Sequence, residues 1–178
     1  MKTVMSFFLT MVLVTNLTIT SFSQQDQKKE IENFTWRKTE GIILKKGYKM
    51  PPAYDTISRF TPTNEEIIEA ERILKENIKD LNKQRMNQFG NYPVIHNHLN
   101  CYFRQYVGII NEKGEKIVHI NLLWYRYSQA YLKKRYTDPR MGYSDEYVIV
   151  NDGGSFYWRV NVNLKLKKLF DLSINGIA

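Results

Sequence analysis

The sequence predicts an α+β domain in which one long helix packs on a four- to five-stranded antiparallel meander sheet. Three observations carry that expectation: a capped amphipathic stretch near residues 63–81, runs of alternating apolar and polar residues in the C-terminal half, and clusters of Asn, Asp and Gly between those runs. A hydrophobic share of 43% with 25% charged residues supports a folded core and excludes a disordered chain, and a single cysteine, Cys101, excludes an intrachain disulfide framework.

The helix is defined by its ends and its stripe. Thr63-Asn64-Glu65-Glu66 is a capping-box pattern, in which the threonine hydroxyl and a glutamate carboxylate satisfy backbone N–H groups that the first helical turn leaves unpaired. Ile67, Ala70, Leu74, Ile78 and Leu81 then recur at three- and four-residue intervals, while Gly90 and Pro93 mark the stop. Before the helix, Phe34, Trp36 and Ile42-Ile43-Leu44 form a short strand or arm that Met50-Pro51-Pro52 closes.

A helix with one apolar side needs a sheet to cover it, and the alternations supply one. Cys101, Phe103, Val107 and Ile109 are expected to face the helix, with Tyr102, Arg104 and Tyr106 on the opposite face. After the turn Asn111-Glu112-Lys113-Gly114-Glu115, Val118, Ile120, Leu122 and Trp124 form the next inward row. A second hairpin is expected to join Val148 and Val150, through Asn151-Asp152-Gly153-Gly154, to Phe156, Trp158, Val160, Val162 and Leu164. Phe170, Leu172 and Ile174 make a last strand, and Trp158 is expected at the centre of the core.

In domain terms, residues 1–23 read as a signal peptide, 24–40 as a polar leader and 41–178 as a single α+β domain. Met1-Lys2-Thr3 is a basic start, Phe7 to Val14 an apolar stretch, and Ser21-Phe22-Ser23 a small-residue cleavage site. Spanning a bilayer takes about 20 predominantly apolar residues, and threonines dilute this segment, so no transmembrane anchor is expected after cleavage. The expected location is periplasmic or extracellular. No nucleic acid partner is expected there, although the formal charge of +8 favours anionic ones: a glycan, an acidic peptide or an acidic protein.

The order of arm, helix and hairpins over Gly41 to Ala178 resembles the cystatin-like and nuclear-transport-factor-like α+β superfold. Gln105-Tyr106-Val107-Gly108 resembles the Gln-x-Val-x-Gly hairpin by which cystatins plug papain-type proteases, with the glycine one residue early and no Pro-Trp pair for the second wedge. The resemblance implies a cysteine protease inhibitor as one alternative. A small pocket enzyme of nuclear-transport-factor-like type is another, with His119 or Asp145 as general base in a pocket between helix and sheet.

Enzymatic motifs are otherwise sparse. No phosphate-binding glycine loop, nucleophile elbow or zinc-protease helix is present, and no cofactor is expected. His96, His98, Cys101 and His119 are residue types that suit zinc, but the first two read as loop residues and Cys101 as a buried thiol, so no metal is expected. The leading expectation is a non-catalytic binding module. Its partner surface is the sheet face turned from the helix, with Tyr102, Arg104, Tyr106, His119, Asn121, Tyr125, Tyr157, Arg159 and Asn161, beside a basic loop with Lys133, Lys134, Arg135 and Arg140. A glycan, an acidic peptide or protein, or a second copy of the chain would suit it.

Overall fold

The computed structural model describes residues 26–54, 57–125 and 143–177, so the expected signal peptide and the basic loop lie outside the described residues. The architecture is α+β, with a mixed sheet of seven strands and few helices. The strands are β1 (Ile31–Trp36), β2 (Thr39–Leu44), β3 (Arg59–Phe60), β4 (Tyr102–Ile110), β5 (Lys116–Trp124), β6 (Tyr157–Asn163) and β7 (Lys168–Ile174). Helix α1 (Asn64–Leu81) stands between β3 and β4. No helix among the described residues is long and apolar enough to cross a membrane.

The sheet is larger than a four- to five-stranded meander, and one of its pairings is parallel. Its order is β1-β2-β4-β5-β6-β7, with β3 also on β4, beyond the end of β2. The arm provides the added strands: β1 and β2 form an antiparallel pair, and β1 begins inside the segment read as a polar leader. Because α1 intervenes between β2 and β4, the chain returns to the same end of the sheet, and the two strands run parallel. Glycine makes this close approach possible at two places. A Cβ at Gly41 would clash with the backbone carbonyl of Arg104 in β4, and one at Gly108 would clash with that of Phe60 in β3.

The helix starts as its capping box requires. Glu66 N donates to Thr63 Oγ1 at 3.3 Å, and Thr63 N donates to Glu66 Oε2 at 3.0 Å. Its buried side holds Ile67, Ala70, Ile73, Leu74 and Ile78, and also Glu71. These pack with Phe34, Ile43, Val118, Ile120, Leu122, Trp158, Val160 and Val162 in the larger of two cores. Burying this apolar area, at about 25 cal/mol per Å², is the main stabilising contribution.

A second core lies on the other side of the sheet, where Ile42, Leu44, Phe103 and Val107 meet Tyr48, Met50, Tyr125 and Tyr147. The covering layer comes from the connection after β2 and from residues 143–152. Arg59 shapes the first of these. Its Nη2 donates to the carbonyls of Leu44 and Lys45 at 2.9 and 2.7 Å, and its Nη1 donates to that of Tyr48 at 2.6 Å, which turns the chain back over the sheet.

The expected hairpin between Val148–Val150 and β6 does not form. Both edges of β6 are already taken, by β5 and β7. Gly153 adopts φ 91° and leads into a 3-10 turn at Gly154–Phe156, whose Ser155 donates from Oγ to the carbonyl of Pro93 at 2.6 Å. Residues 146–150 instead cross the back of the sheet.

Candidate functional site

The sheet register decides where each expected site residue goes. Directly opposed residues of an antiparallel pair share a face. Arg104 opposes Leu122 and Tyr106 opposes Ile120, while Leu122 in turn opposes Trp158. Tyr102, Arg104 and Tyr106 therefore face the helix with Trp158, and Phe103, Val107 and Ile109 face away, the reverse of the expected assignment for β4. The central position expected for Trp158 is found: it is 1% exposed.

Arg104 is 1% exposed, and its Nε donates to Glu71 Oε1 at 3.1 Å; Tyr106 donates its hydroxyl to the same oxygen at 2.8 Å. Burial opposes the arginine charge, but Glu71 and Tyr106 outweigh it and hold the guanidinium pKa above its ordinary value. Burial, and next to it the Glu71 charge, push the Tyr106 hydroxyl well up. Tyr102, also fully buried, donates to the carbonyl of Ser155 at 2.7 Å. Arg104 and Tyr106 tie helix to sheet, Tyr102 ties β4 to the turn before β6, and all three are closed to a partner.

The remaining expected residues do gather on the back face. Asn121 opposes both Gln105 and Arg159, and His119 opposes Asn161, so a polar row crosses β4, β5 and β6. Tyr157 stands beside Arg159's row on β6, and Tyr125 packs against Phe103 in the second core with ring centroids 6.4 Å apart. This face is covered. Gln105, 0% exposed, donates from Nε2 to the carbonyls of Tyr143 and Glu146 at 2.8 and 2.6 Å, and its Oε1 accepts from Val148 N at 3.0 Å. Asn121 donates to the carbonyl of Val148 at 2.8 Å and to Gln105 Oε1 at 3.0 Å.

His119 is held at both ring nitrogens, Nδ1 at 2.8 Å from Asn161 Oδ1 and Nε2 at 3.1 Å from Tyr147 Oη. An amide oxygen only accepts, so Nδ1 carries the proton and Nε2 accepts from the tyrosine. Burial lowers the imidazole pKa, and the nearby Arg159 charge lowers it further against the raising effect of the Asn161 bond. Burial also pushes the Tyr147 hydroxyl upward.

Arg159 differs from the other two internal arginines. Among the described residues its guanidinium has no hydrogen bond or ion pair, and it stays partly exposed in a depression with Tyr54, Asn121, Tyr147, Tyr157 and Asn175. The depression holds about 10 Å³, room for roughly one water. The chain on either side of the basic loop ends here: Tyr125 and Tyr143 both pack on Phe103, and the Tyr143 and Tyr157 hydroxyls are 3.4 Å apart.

The residues expected to make a helix–sheet pocket do not meet. His119 lies on the far side of the sheet from α1, and Asp145 is exposed on the covering segment. The Gln105–Gly108 stretch runs through the middle of β4 with Gln105 and Val107 buried, so it is not presented at a hairpin tip as a cystatin wedge is. His96 lies 3.1 Å from Asn82 Nδ2 and His98 3.0 Å from the carbonyl of Val94. No group of three or more His, Cys, Asp or Glu able to hold a metal occurs among the described residues.

Sequence reasoning missed Glu71, Gln105 as a clamp, and Arg59. Glu71 carried a signal: it lies four residues after Ile67 and three before Leu74, inside the apolar stripe, where a carboxylate needs a buried partner. Fold and site together define an α+β protein with a mixed sheet and a covered polar row on its back face. Comparison with protein-family models, with curated proteins and with solved structures gives no match.

Proposed function

We propose that the chain is an exported, non-catalytic interaction module that holds an anionic partner at the Arg159 corner of the back face, together with the basic residues of the adjoining loop. The observation that supports it best is the guanidinium of Arg159, partly exposed among tyrosines and without an anionic partner among the described residues. Desolvating an arginine is costly unless a carboxylate or similar oxyanion accepts its hydrogen bonds, and its planar fork suits that group. Lys133, Lys134, Arg135 and Arg140, outside the described residues, stand in sequence between Tyr125 and Tyr143, which both pack on Phe103, and we read them as the second part of the anionic site.

A non-catalytic role fits the state of the candidate base. His119 spends both nitrogens on structural bonds, and the cavity it lines together with Tyr54 and Arg59 holds only about 10 Å³, too small for a substrate. On this proposal residues 1–23 direct export to a periplasm or the exterior. We also read the wrapping of one long helix by the sheet as cystatin-like, with the parallel β2–β4 pair as the departure from that pattern.

The test is titration of the protein with poly-L-glutamate and with heparin, comparing Arg159→Gln and a Lys133→Gln, Lys134→Gln, Arg135→Gln variant. Both variants are expected to bind more weakly while remaining folded. Undiminished binding by both would refute the proposed site.

A further inference from the structure

Residues 146–152 cross the sheet without a single main-chain to main-chain hydrogen bond to it among the described residues. Backbone groups that face the sheet must nevertheless be satisfied, and here side chains of the sheet and its flanks do so. Gln105 takes the N–H of Val148 and the carbonyl of Glu146 from the segment, and the carbonyl of Tyr143 just before it, while Asn121 takes the carbonyl of Val148. Asn175 donates to the carbonyls of Val150 and Asp152, and Tyr48 accepts from Tyr147 N at 3.0 Å. Only one side chain of the crossing segment is deeply held: Tyr147, 7% exposed, with its hydroxyl on His119 and its ring 5.4 Å from that of Tyr54. Asp145, Glu146 and Ile149 are exposed.

Recognition through main-chain atoms, plus a pocket for one aromatic side chain, is how proteins bind extended peptides of variable sequence. From this geometry we propose that the back face is a peptide-binding groove, that its partner is an extended acidic peptide with one anchoring tyrosine, and that Asp145-Glu146-Tyr147-Val148 is the built-in occupant which that partner replaces. The occupant's own sequence supplies the partner chemistry, since two acidic residues precede the anchor and stay in solvent, while the corner next to the anchor holds Arg159. The inference rests on the back face being the binding face. It deepens the anionic-partner proposal by naming the partner as a peptide.

The test uses a fluorescent peptide with the sequence of residues 143–152, capped at both ends, titrated into the wild-type protein and into Tyr147→Gly. A tethered occupant competes at an effective concentration in the millimolar range, so removing its anchor should tighten peptide binding by about tenfold or more. Changing the peptide's tyrosine to alanine should abolish binding. A folded Tyr147→Gly protein that shows no saturable binding, or that binds the alanine peptide equally well, overturns the inference. If Tyr147→Gly does not fold, the same peptide with benzoylphenylalanine at the tyrosine position is photocrosslinked to wild-type protein at millimolar peptide. Crosslinks to residues 48–54 support the groove, and their absence overturns it. Poly-L-glutamate binding without peptide binding removes the groove alone, whereas peptide binding without polyanion binding removes the anionic reading alone.

Discussion

Arg104 on β4 and Glu71 on α1 form an ion pair 3.1 Å long inside the main core, with side chains 1% and 5% exposed. Two charges at such depth are stable only together, because each alone would stay desolvated without compensation. Glu71→Ala is therefore expected to cost about 3–5 kcal/mol, and the double variant Glu71→Leu, Arg104→Met to recover most of it. Chemical denaturation of the three proteins measures this. A double variant less stable than Glu71→Ala would show that the pair contributes more than mutual compensation.

Trp158 lies at the centre of the same core, its ring set edge-on to Tyr102 with centroids 5.6 Å apart. Trp158→Ala should cost about 3–5 kcal/mol, as large aromatic truncations in cores do. An unchanged denaturation midpoint would contradict the assigned register.

His119 makes stability depend on pH, with a sign fixed by its environment. Its folded pKa lies below the ordinary 6.5, so the unfolded chain takes up the proton first as the pH falls. The stability linked to this group is complete above the unfolded value and is lost as the pH falls from there through the depressed folded value. His96, also lowered by burial and by the charges of Arg85 and Lys79, adds to the same trend. His119→Gln should flatten the decline below pH 6.5, measured by thermal melts across that range. An unaltered slope would place the titration elsewhere.

The capping box gives a smaller effect. Thr63→Ala removes the acceptor for Glu66 N and should cost about 1 kcal/mol, read from the denaturation midpoint. A Thr63→Asn variant should retain most of the stability, because its side chain caps as well.

Much of the fold was legible in local sequence. The helix, the β4–β5 hairpin and the strand pair around Lys165 to Lys168 follow from capping residues, turn residues and alternation that each act over a few positions. The face of β4 was not legible, because the strand is buried on both sides. Phe103 and Val107 are apolar because Tyr48 and Tyr147 cover them, and Arg104 and Tyr106 are polar because Glu71 awaits them inside. Alternation presumes one wet face, and β4 has none over residues 102–108. The parallel pairing of β2 was hidden for another reason: it joins residues some sixty positions apart through backbone contacts at Gly41 that no local pattern records. Of the candidate site, the polar row on β5 and β6 was readable from its alternation, whereas its cover was mistaken for a strand.

The decisive measurement is the affinity of the protein for poly-L-glutamate at low and at high salt, with Arg159→Gln alongside. A charge-driven partner must weaken as the Debye length shrinks from about 10 Å at 0.1 M to about 3 Å at 1 M. The account predicts clear salt-dependent binding by the wild type and a markedly smaller salt response in the variant. Equal affinity of the two proteins at both salt levels would contradict it.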